Sequence, residues 1–233
     1  MITTRTAKQC GQADFGWLKA RYTFSFGHYF DPNLLCYASL RVVNQEVLAP
    51  GASLQPRAYP KVDILNLILE GEAEYRDSEG HHVQAKAGEA LLIATQPGIS
   101  YSEHNLSKDK SLTRMQLWLD ACPERENAPV QKLTLADGTC QLLASPDGDK
   151  GSMQLRQQVW LHHISLNKGE ELKIELHGPR AYLQSIHGTV HAVTHHKEQE
   201  ALTCGDGAFI RDEATITLVA DTPLRALLVD LPV

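Results

Sequence analysis

The sequence predicts an all-β fold in which two similar antiparallel β-barrels share one chain. Short runs rich in β-branched and aromatic residues alternate with turns that contain glycine, proline or aspartate. No stretch before residue 120 keeps an apolar period of about 3.6 residues over several turns, so any helices there are short. The third observation is an internal repeat, because the second half of the chain reproduces the turn spacing of the first. Closely spaced strands of this kind are typical of sandwiches and barrels.

The strands of the first half follow one another at short intervals, and turns rich in glycine or aspartate separate most of them. The runs are YASLRVVNQEVLAPG (37–51), VDILNLILEG (62–71), EAEYRD (72–77), HVQAKAG (82–88), EALLIA (89–94) and RMQLWLD (114–120). The end of the chain, LRALLVDLPV (224–233), also contains a strand-like run. That run either closes the second barrel or crosses to the first.

Three turns of the first half recur in the second. The matched glycines are Gly71 with Gly188 and Gly88 with Gly205, both offset by 117 residues, and Gly51 with Gly169, offset by 118. Glycine at matched turns indicates backbone positions with positive φ. We therefore predict an N-terminal barrel over 1–120, a linker over 121–150 and a C-terminal barrel over 151–233. The linker segment contains DACPERENAPVQKL and ASPDGDKGS, which are rich in proline, glycine and charge.

Composition excludes several classes of protein. The net charge is −6 and the basic residues are scattered, which argues against a nucleic-acid partner. No apolar run reaches the roughly 18 residues of a membrane span, and no signal peptide is recognisable. The five cysteines form no CxxC pair, as expected of free thiols in the cytoplasm. No phosphate loop, dinucleotide fingerprint or nucleophile motif is present, so hydrolase, kinase and dehydrogenase functions have no support.

Four segments of the first half together resemble the pirin family, in particular an enterobacterial-type member. They are RYTFSFGHYFDP (21–32), SLRVVNQEVLAPG (39–51), LEGEAEYRDSEG (69–80) and PGISYSEHN (97–105). The resemblance covers residues 21–119, and the second half follows by pattern. Pirins are bicupins, in which two jelly-roll β-barrels of the cupin superfamily lie in one chain. The resemblance therefore implies a bicupin, in agreement with the repeat.

Pirin-like proteins usually hold one iron ion in the N-terminal barrel through three histidines and a glutamate. Some members are similar to quercetin 2,3-dioxygenases, and the eukaryotic pirin acts as a nuclear cofactor. The ligands form two pairs, each of residues two apart on a strand, whose side chains point to the same face. In this chain the resemblance places the pairs at Arg57 and Tyr59 and at Tyr101 and Glu103. Only Glu103 retains a ligand of the family.

These substitutions predict a pocket that has lost its metal, so we expect no cofactor. A guanidinium offers no lone pair, and a neutral phenol is a poor ligand. Arg57 is expected to neutralise Glu103, while the hydroxyls of Tyr59 and Tyr101 complete its hydrogen bonds. Two interpretations stay open: a satisfied polar plug without ligand, or a pocket that binds a small anion or an aromatic compound through these residues.

The second half contains most of the histidines. The repeat places Glu175 and His177 at the positions of Arg57 and Tyr59, and it places the counterpart of Tyr101 near Leu218–Val219, where no metal ligand is present. Solvated histidines in turns, such as the pair in THHKEQE (194–200), are therefore favoured over a second metal site.

Cys122 is a further candidate, as a redox-responsive thiol. It follows a strand and precedes Pro123, so partial exposure is expected. Arg125 would lower its pKa, whereas Asp120 and Glu124 would oppose this. An inert linker cysteine is the alternative.

Three functions compete on this basis. The preferred hypothesis is a non-catalytic cytoplasmic bicupin that binds a small molecule or anion, or that responds to redox state through Cys122. The first alternative is a metal-dependent oxidoreductase similar to quercetin 2,3-dioxygenase, which the family implies and the pocket residues oppose. The second is a protein-interaction module similar to a transcription cofactor, for which the sequence identifies no partner.

Overall fold

The computed structural model describes residues 1–232, and its regular structure is almost entirely β-strand. Within that range the helices are two short 3-10 helices, η1 (Ala7–Gln9) and η2 (Asp149–Gly151), and there is no α-helix. The predicted all-β class with only short helices is confirmed. Neither helix in residues 1–232 has the length and hydrophobicity that a membrane crossing requires.

The strands alternate with short turns throughout the chain. In the first half they are β1 (Ile2–Arg5), β2 (Gly11–Asp14), β3 (Leu18–Tyr22), β4 (Leu40–Leu48), β5 (Ser53–Ala58), β6 (Val62–Glu70), β7 (Glu72–Asp77), β8 (His82–Lys86), β9 (Glu89–Ala94), β10 (Ser100–Asn105) and β11 (Leu112–Asp120). They continue with β12 (Val130–Thr134), β13 (Cys140–Ser145), β14 (Met153–Gln154), β15 (Trp160–Leu166), β16 (Glu171–Glu175), β17 (Arg180–His187), β18 (Val190–Thr194), β19 (Gln199–Leu202), β20 (Gly207–Arg211), β21 (Thr215–Ala220) and β22 (Leu224–Asp230).

The chain forms two compact units. The N-terminal unit consists of Gly11–Leu135 and Met153–Gln157, and the C-terminal unit consists of Met1–Cys10, Ala136–Ser152 and the residues from Gln158 onward. These boundaries differ from the predicted segments 1–120, 121–150 and 151–233. β1 pairs with β20, so the start of the chain completes the C-terminal unit. β12 pairs with β9 and β13 pairs with β15, so the expected linker adds one strand to each unit. Strand edges need hydrogen-bond partners, which these added strands supply.

Two antiparallel sheets make up the N-terminal unit. Their strand orders are β12-β9-β6-β11-β4-β3-β2 and β5-β10-β7-β8. Aliphatic side chains of β6, β9 and β11 form much of its core, including Ile64, Ile68, Leu91 and Leu112, which are at most 1% exposed. Burial of this apolar surface is the main force that holds the sheets together.

The C-terminal unit repeats the same plan, which confirms the internal repeat. Its strands are ordered β1-β20-β17-β22-β15-β13 in one sheet and β16-β21-β18-β19 in the other. β17, β22 and β15 therefore correspond to β6, β11 and β4. The strand-like end of the chain is β22, which lies between β17 and β15 within this unit and does not cross to the first.

The matched glycines have the backbone conformation that the repeat predicts. Their φ angles are positive in every pair: 70° and 83° for Gly51 and Gly169, 82° and 90° for Gly71 and Gly188, and 85° and 86° for Gly88 and Gly205. At Gly71 and Gly188 a Cβ would also lie 2.6 and 2.1 Å from the carbonyl oxygens of Ser111 and Pro223. Any other residue at these two turns would therefore be strained and would clash with the backbone.

Candidate functional site

A cavity of about 220 Å³ lies within the N-terminal unit. Its buried wall carries charged and amide side chains, namely Glu46, Glu103, Arg114 and Gln116. Aromatic side chains form much of the remaining lining, including Trp17, Tyr22, Phe26 and Tyr59. A concave site with apolar walls and a few convergent polar groups is typical of small-molecule binding.

Arg114 is the centre of the buried polar wall. Its guanidinium donates from Nε and Nη2 to Glu46 Oε2, at 3.0 and 2.8 Å, and from Nη1 to Glu103 Oε1, at 2.5 Å. β11 pairs with β4 so that Arg114 lies opposite Glu46, which places both side chains on the same face of the sheet. Burial opposes the charge of Arg114, but the Glu103 and Glu46 carboxylates outweigh this and raise the pKa of the guanidinium. The result is a fully buried ionic triad.

A chain of amide side chains holds Glu103 from the other side. Asn66 Nδ2 donates to Glu103 Oε1 at 2.7 Å, and Gln116 Nε2 donates to Asn66 Oδ1 at 2.9 Å. The Trp118 indole in turn donates to Gln116 Oε1 at 2.9 Å. Glu103 Oε2 is buried and accepts no hydrogen bond within the described chain. The carboxylate is thus fixed in orientation while one of its oxygens is left without a donor.

Arg57 and Tyr59 lie side by side, as the pairing of alternate residues predicts. Arg57 Nε donates to the Tyr59 hydroxyl at 2.9 Å, and the guanidinium carbon lies 5.1 Å from the centre of the Tyr59 ring. Arg57 is on β5 and is exposed, whereas Tyr59 follows the end of that strand and is buried. Both line the cavity with Glu103.

Tyr101 is packed behind Tyr59 and is not among the residues that line the cavity. The Tyr59 and Tyr101 rings are stacked, with centroids 4.4 Å apart and planes inclined by 15°. The Tyr75 ring also packs against Tyr101, with a distance of 5.1 Å between the ring centroids. Burial, and then the Glu103 carboxylate, raise the pKa of Tyr101 well above its usual range. Its phenol therefore stays protonated.

The predicted partner of Glu103 is wrong. Arg57 does not neutralise it, because Arg114 occupies that role from the buried face of β11 while Arg57 stands at the exposed side of the cavity. Nor do the two tyrosines supply the hydrogen bonds of Glu103 Oε1, which come from Arg114 and Asn66.

Sequence reasoning missed four functional side chains: Glu46, Asn66, Arg114 and Gln116. A signal for them was present, because these polar residues lie between apolar residues on strands that are expected to be buried. Buried polar residues need partners, and such residues on three strands of one unit indicate a shared network.

Cys122 lies just after β11 and is partly exposed, as predicted. Its backbone nitrogen donates to Arg156 O at 2.7 Å, and Arg125 N donates to its carbonyl at 3.2 Å. The backbone of Cys122 is therefore held in place, but its side chain is not part of the cavity lining. All five cysteines are free thiols.

Among the residues that the structure describes, the C-terminal unit has no counterpart of the polar network. Five of its positions are apolar there, and all five replacements belong to the buried core. The strand registers match Glu46 with Ile164, Arg114 with Ala226, Glu103 with Leu218, Asn66 with Leu183 and Gln116 with Leu228. The fold itself does not require polar groups at these positions, so the network is a specific property of the N-terminal unit.

The registers also correct one predicted match. The counterpart of Tyr101 is Ile216, not Leu218–Val219, since Tyr101 pairs with Asp77 and Ile216 pairs with Thr194. The reason is that the connection before β21 (212–214) is shorter than the connection before β10 (95–99). An isoleucine side chain, like that of leucine, has no atom that binds a metal ion, so this position carries no metal ligand in either alignment.

Comparison with known proteins gives the family. The family model described as Pirin matches residues 3–119, and the model described as quercetinase C-terminal cupin domain matches residues 142–231. The chain is 80% identical over 233 residues, the whole of both chains, to the Pirin-like protein YhaK of Escherichia coli (strain K12). It is 33% identical over 239 residues to quercetin 2,3-dioxygenase of the same organism, covering 100% of this chain and 99% of the relative.

The solved structures agree with the sequence relatives. The crystal structure of the bacterial pirin YhhW from Escherichia coli, in complex with nickel(II), superimposes with a TM-score of 0.92 at 32% identity. The match covers 100% of this chain and 99% of that one. Both halves of the chain and the whole of its fold therefore have the same relatives, and the chain belongs to the pirin family.

Proposed function

We propose that the protein is a non-catalytic pirin whose N-terminal cavity binds a small aromatic molecule that carries an anionic group and a hydrogen-bond donor. The observation that carries this proposal is the state of Glu103. Its Oε1 is saturated by Arg114 and Asn66, its Oε2 is buried without a donor, and it lines a cavity with aromatic walls. A buried acceptor without a donor costs about 1–3 kcal/mol, which a ligand hydroxyl would recover.

The rest of the lining limits the class of ligand. Trp17, Tyr22 and Phe26 offer ring surfaces, and the exposed Arg57 offers a cation at the outer side of the cavity. About 220 Å³ is less than the roughly 300–1,000 Å³ of pockets for drug-sized ligands, which favours a compound with one ring. A hydroxybenzoate has the required chemistry, because its phenol can donate to Glu103 and its carboxylate can pair with Arg57.

We expect 4-hydroxybenzoate to bind with a measurable heat in isothermal titration calorimetry, and we expect Arg57→Met to weaken that binding roughly tenfold, or about 1.4 kcal/mol. Arg180→Met, which removes an exposed arginine of the C-terminal unit, is the matched control and should leave binding unchanged. An absence of heat at millimolar 4-hydroxybenzoate would contradict the proposal. It would favour the alternative in which the polar side chains satisfy one another and no ligand binds.

The donor set does not fit the iron of the family. Arg57 has no lone pair, Tyr101 stays protonated in its buried stack, and Oε1 of Glu103 is already paired with the Arg114 guanidinium. A cation placed among these groups would meet two guanidinium charges and a single carboxylate oxygen. We therefore propose that the site holds no metal, and no step of a metal-dependent reaction follows from it.

The alternative is a quercetin 2,3-dioxygenase-like oxidoreductase. A relative with that name is 33% identical over the full length, and the related YhhW structure contains nickel(II). Elemental analysis of protein purified without chelators discriminates the two functions. One iron or nickel per chain, with oxygen consumption on addition of quercetin, would establish the alternative and overturn the non-catalytic assignment.

We propose in addition that Cys122 responds to oxidants. The support is its partial exposure and the hydrogen bonds that fix its backbone. Hydrogen peroxide is expected to add one oxygen to the Cys122 peptide, detected by mass spectrometry with a sulfenic-acid trap, and Cys122→Ser should abolish this. Cys36→Ser is the control, since Cys36 is exposed on the same unit. Equal peroxide sensitivity of Cys122 and Cys36 would show that Cys122 is an ordinary accessible thiol.

Two further inferences concern the barrel fold and the cellular location of the protein. We infer that each pair of sheets forms a jelly-roll barrel, so that the protein is a bicupin; the repeated strand order supports this. We also infer a cytoplasmic location, for which the five free thiols are the support.

A further inference from the structure

We propose that the C-terminal unit contains a second ligand site, a pocket lined by Lys150, His162 and the stacked rings of Trp160 and His177 that takes a small aromatic carboxylate. The pocket has a volume of about 350 Å³, and Cys140, Leu142 and Asp149 complete its lining. It lies entirely within the C-terminal unit and shares no residue with the cavity around Glu103. The inference does not depend on the function proposed for that cavity.

One wall of the pocket is a rigid aromatic surface. The Trp160 and His177 rings are stacked with centroids 3.8 Å apart and planes inclined by 6°. His177 is anchored by Asp230, whose Oδ2 accepts from the His177 backbone nitrogen at 2.8 Å and lies 2.7 Å from Nδ1. Because Asp230 is an acceptor, the hydrogen of the imidazole is held on Nδ1, and Nε2 is the nitrogen left for a ligand. The His177 side chain remains about half exposed, at 48%, so its position is fixed while its surface stays accessible.

The polar interior of the pocket is incompletely satisfied. His162 lines the pocket from β15, and its Nδ1 is buried without a hydrogen-bond partner. The anchoring Asp230 is fully buried and its Oδ1 also has no partner within the described residues. Buried polar atoms without partners are uncommon in folded proteins, so the nitrogen of His162 supports a ligand with a polar group in this pocket.

The electrostatics of the pocket favour an anion. Burial is the main cause that lowers the pKa of His162 from 6.5 to about 4, and the charge of Lys150 acts in the same direction. Burial raises the pKa of the Cys140 thiol, and the charge of Lys150 opposes this. Asp149 also lines the pocket and contributes a carboxylate. Lys150 is thus a cationic group of the lining that can pair with the carboxylate of a ligand.

The apolar surface of the lining explains why the ligand should also have an apolar part. Leu142 contributes to the lining directly. A carboxylate near Lys150 and a flat ring against the Trp160–His177 stack would use both parts of the surface. A metal ion is the poorer occupant, because the described residues contain no cluster of three or more potential ligands.

Cys140 provides a site-specific readout for this pocket. We expect saturating benzoate to slow alkylation of Cys140 by iodoacetamide several-fold, measured on the intact protein by peptide mass spectrometry. Cys36, exposed on the N-terminal unit, is the internal control and should react at an unchanged rate. Benzyl alcohol, which lacks the charge, and cyclohexanecarboxylate, which lacks the flat ring, should both protect less than benzoate.

Variants then assign the effect to the named residues. Lys150→Asn removes the charge and suits the left-handed backbone at this position, where φ is 54°. We expect it to raise the benzoate concentration needed for half-protection about tenfold. Lys168→Met, which removes an exposed lysine outside the pocket, and Arg57→Met, which alters the other cavity, should leave it unchanged.

Two outcomes would overturn the proposal. One is an unchanged Cys140 rate at high millimolar benzoate with a folded protein, as judged by its thermal unfolding. The other is stronger protection by benzylamine than by benzoate, which would show that Asp149 and not Lys150 sets the charge preference. Failure of 4-hydroxybenzoate to bind the N-terminal cavity would leave the Cys140 result unaffected, so the two sites are tested separately.

Discussion

Replacing Arg114 by alanine is expected to destabilise the protein by about 3–5 kcal/mol, because it removes the only buried cation between Glu46 and Glu103 in the described cavity wall. Both carboxylates are nearly inaccessible to solvent, at 4% and 2%, so water cannot replace the guanidinium. Chemical denaturation followed by circular dichroism measures the loss. A destabilisation below about 1 kcal/mol would show that the triad contributes little to folding.

The C-terminal unit supplies the matched control for this change. At the equivalent positions it carries Ile164, Leu218 and Ala226, which pack in its core. The triple variant Glu46→Ile, Glu103→Leu and Arg114→Ala installs that set in the N-terminal unit, and we expect it to recover most of the stability lost in Arg114→Ala. The same variant should no longer bind 4-hydroxybenzoate, since it removes the acceptor on Glu103. Recovery of stability with loss of binding would show that the buried charges serve the ligand and not the fold.

Replacing Arg156 by methionine is expected to cost a similar amount, about 3–5 kcal/mol. Arg156 donates from its backbone nitrogen and Nε to the two oxygens of Asp63, at 2.6 and 2.9 Å, and from Nη2 to the carbonyls of Val62 and Thr95. It is 1% exposed and Asp63 is fully buried. The variant keeps the backbone donor but removes the guanidinium, so the buried Asp63 carboxylate loses its counter-charge and the Thr95 carbonyl loses its hydrogen bond from Nη2.

An exposed ion pair of the same unit is the control for Arg156. Arg41 and Asp120 are 2.8 Å apart, but their side chains are 47% and 37% exposed, so Arg41→Met should cost less than about 1 kcal/mol. Arg156→Lys should not rescue stability, because an ammonium cannot reproduce the planar set of donors. The measurements are the denaturation midpoint and the rate of proteolysis near residues 153–157. Equal effects of Arg156→Met and Arg41→Met would contradict the structural role given to Arg156.

Short runs of β-forming residues and glycine spacing were enough to predict the all-β class and the repeat. Strand preference in runs such as those of β6 and β11 depends only on neighbouring residues, and the repeat of Gly71 and Gly188 depends on a local requirement for positive φ. Such features can be recognised from the order of residues along the chain. The strand class, the repeat and the family resemblance were therefore all available before the structure.

Side-chain contacts between strands that are far apart in the sequence could not be predicted in this way. The sequence led to Arg57 as the cation for Glu103, whereas the structure places Arg114 there, because the register of β11 against β4 and β6 turns Arg114 toward the buried face. A shift of register by one residue would reverse the face to which Arg114 points. The C-terminal pocket has the same origin, because Lys150, His162 and His177 come from separate segments. No local pattern connects them.

The sequence by itself determined that this chain is an all-β protein with two related halves, and the family resemblance led to the prediction that Arg57, Tyr59, Tyr101 and Glu103 occupy the metal-ligand positions. Only the tertiary structure decided that Arg114 holds Glu103, that Tyr101 lies behind Tyr59, and that the first strand completes the second unit. The physical reason is that turn and strand preferences act over a few residues, whereas the pairing of buried charges is fixed by strand register between segments far apart in the chain.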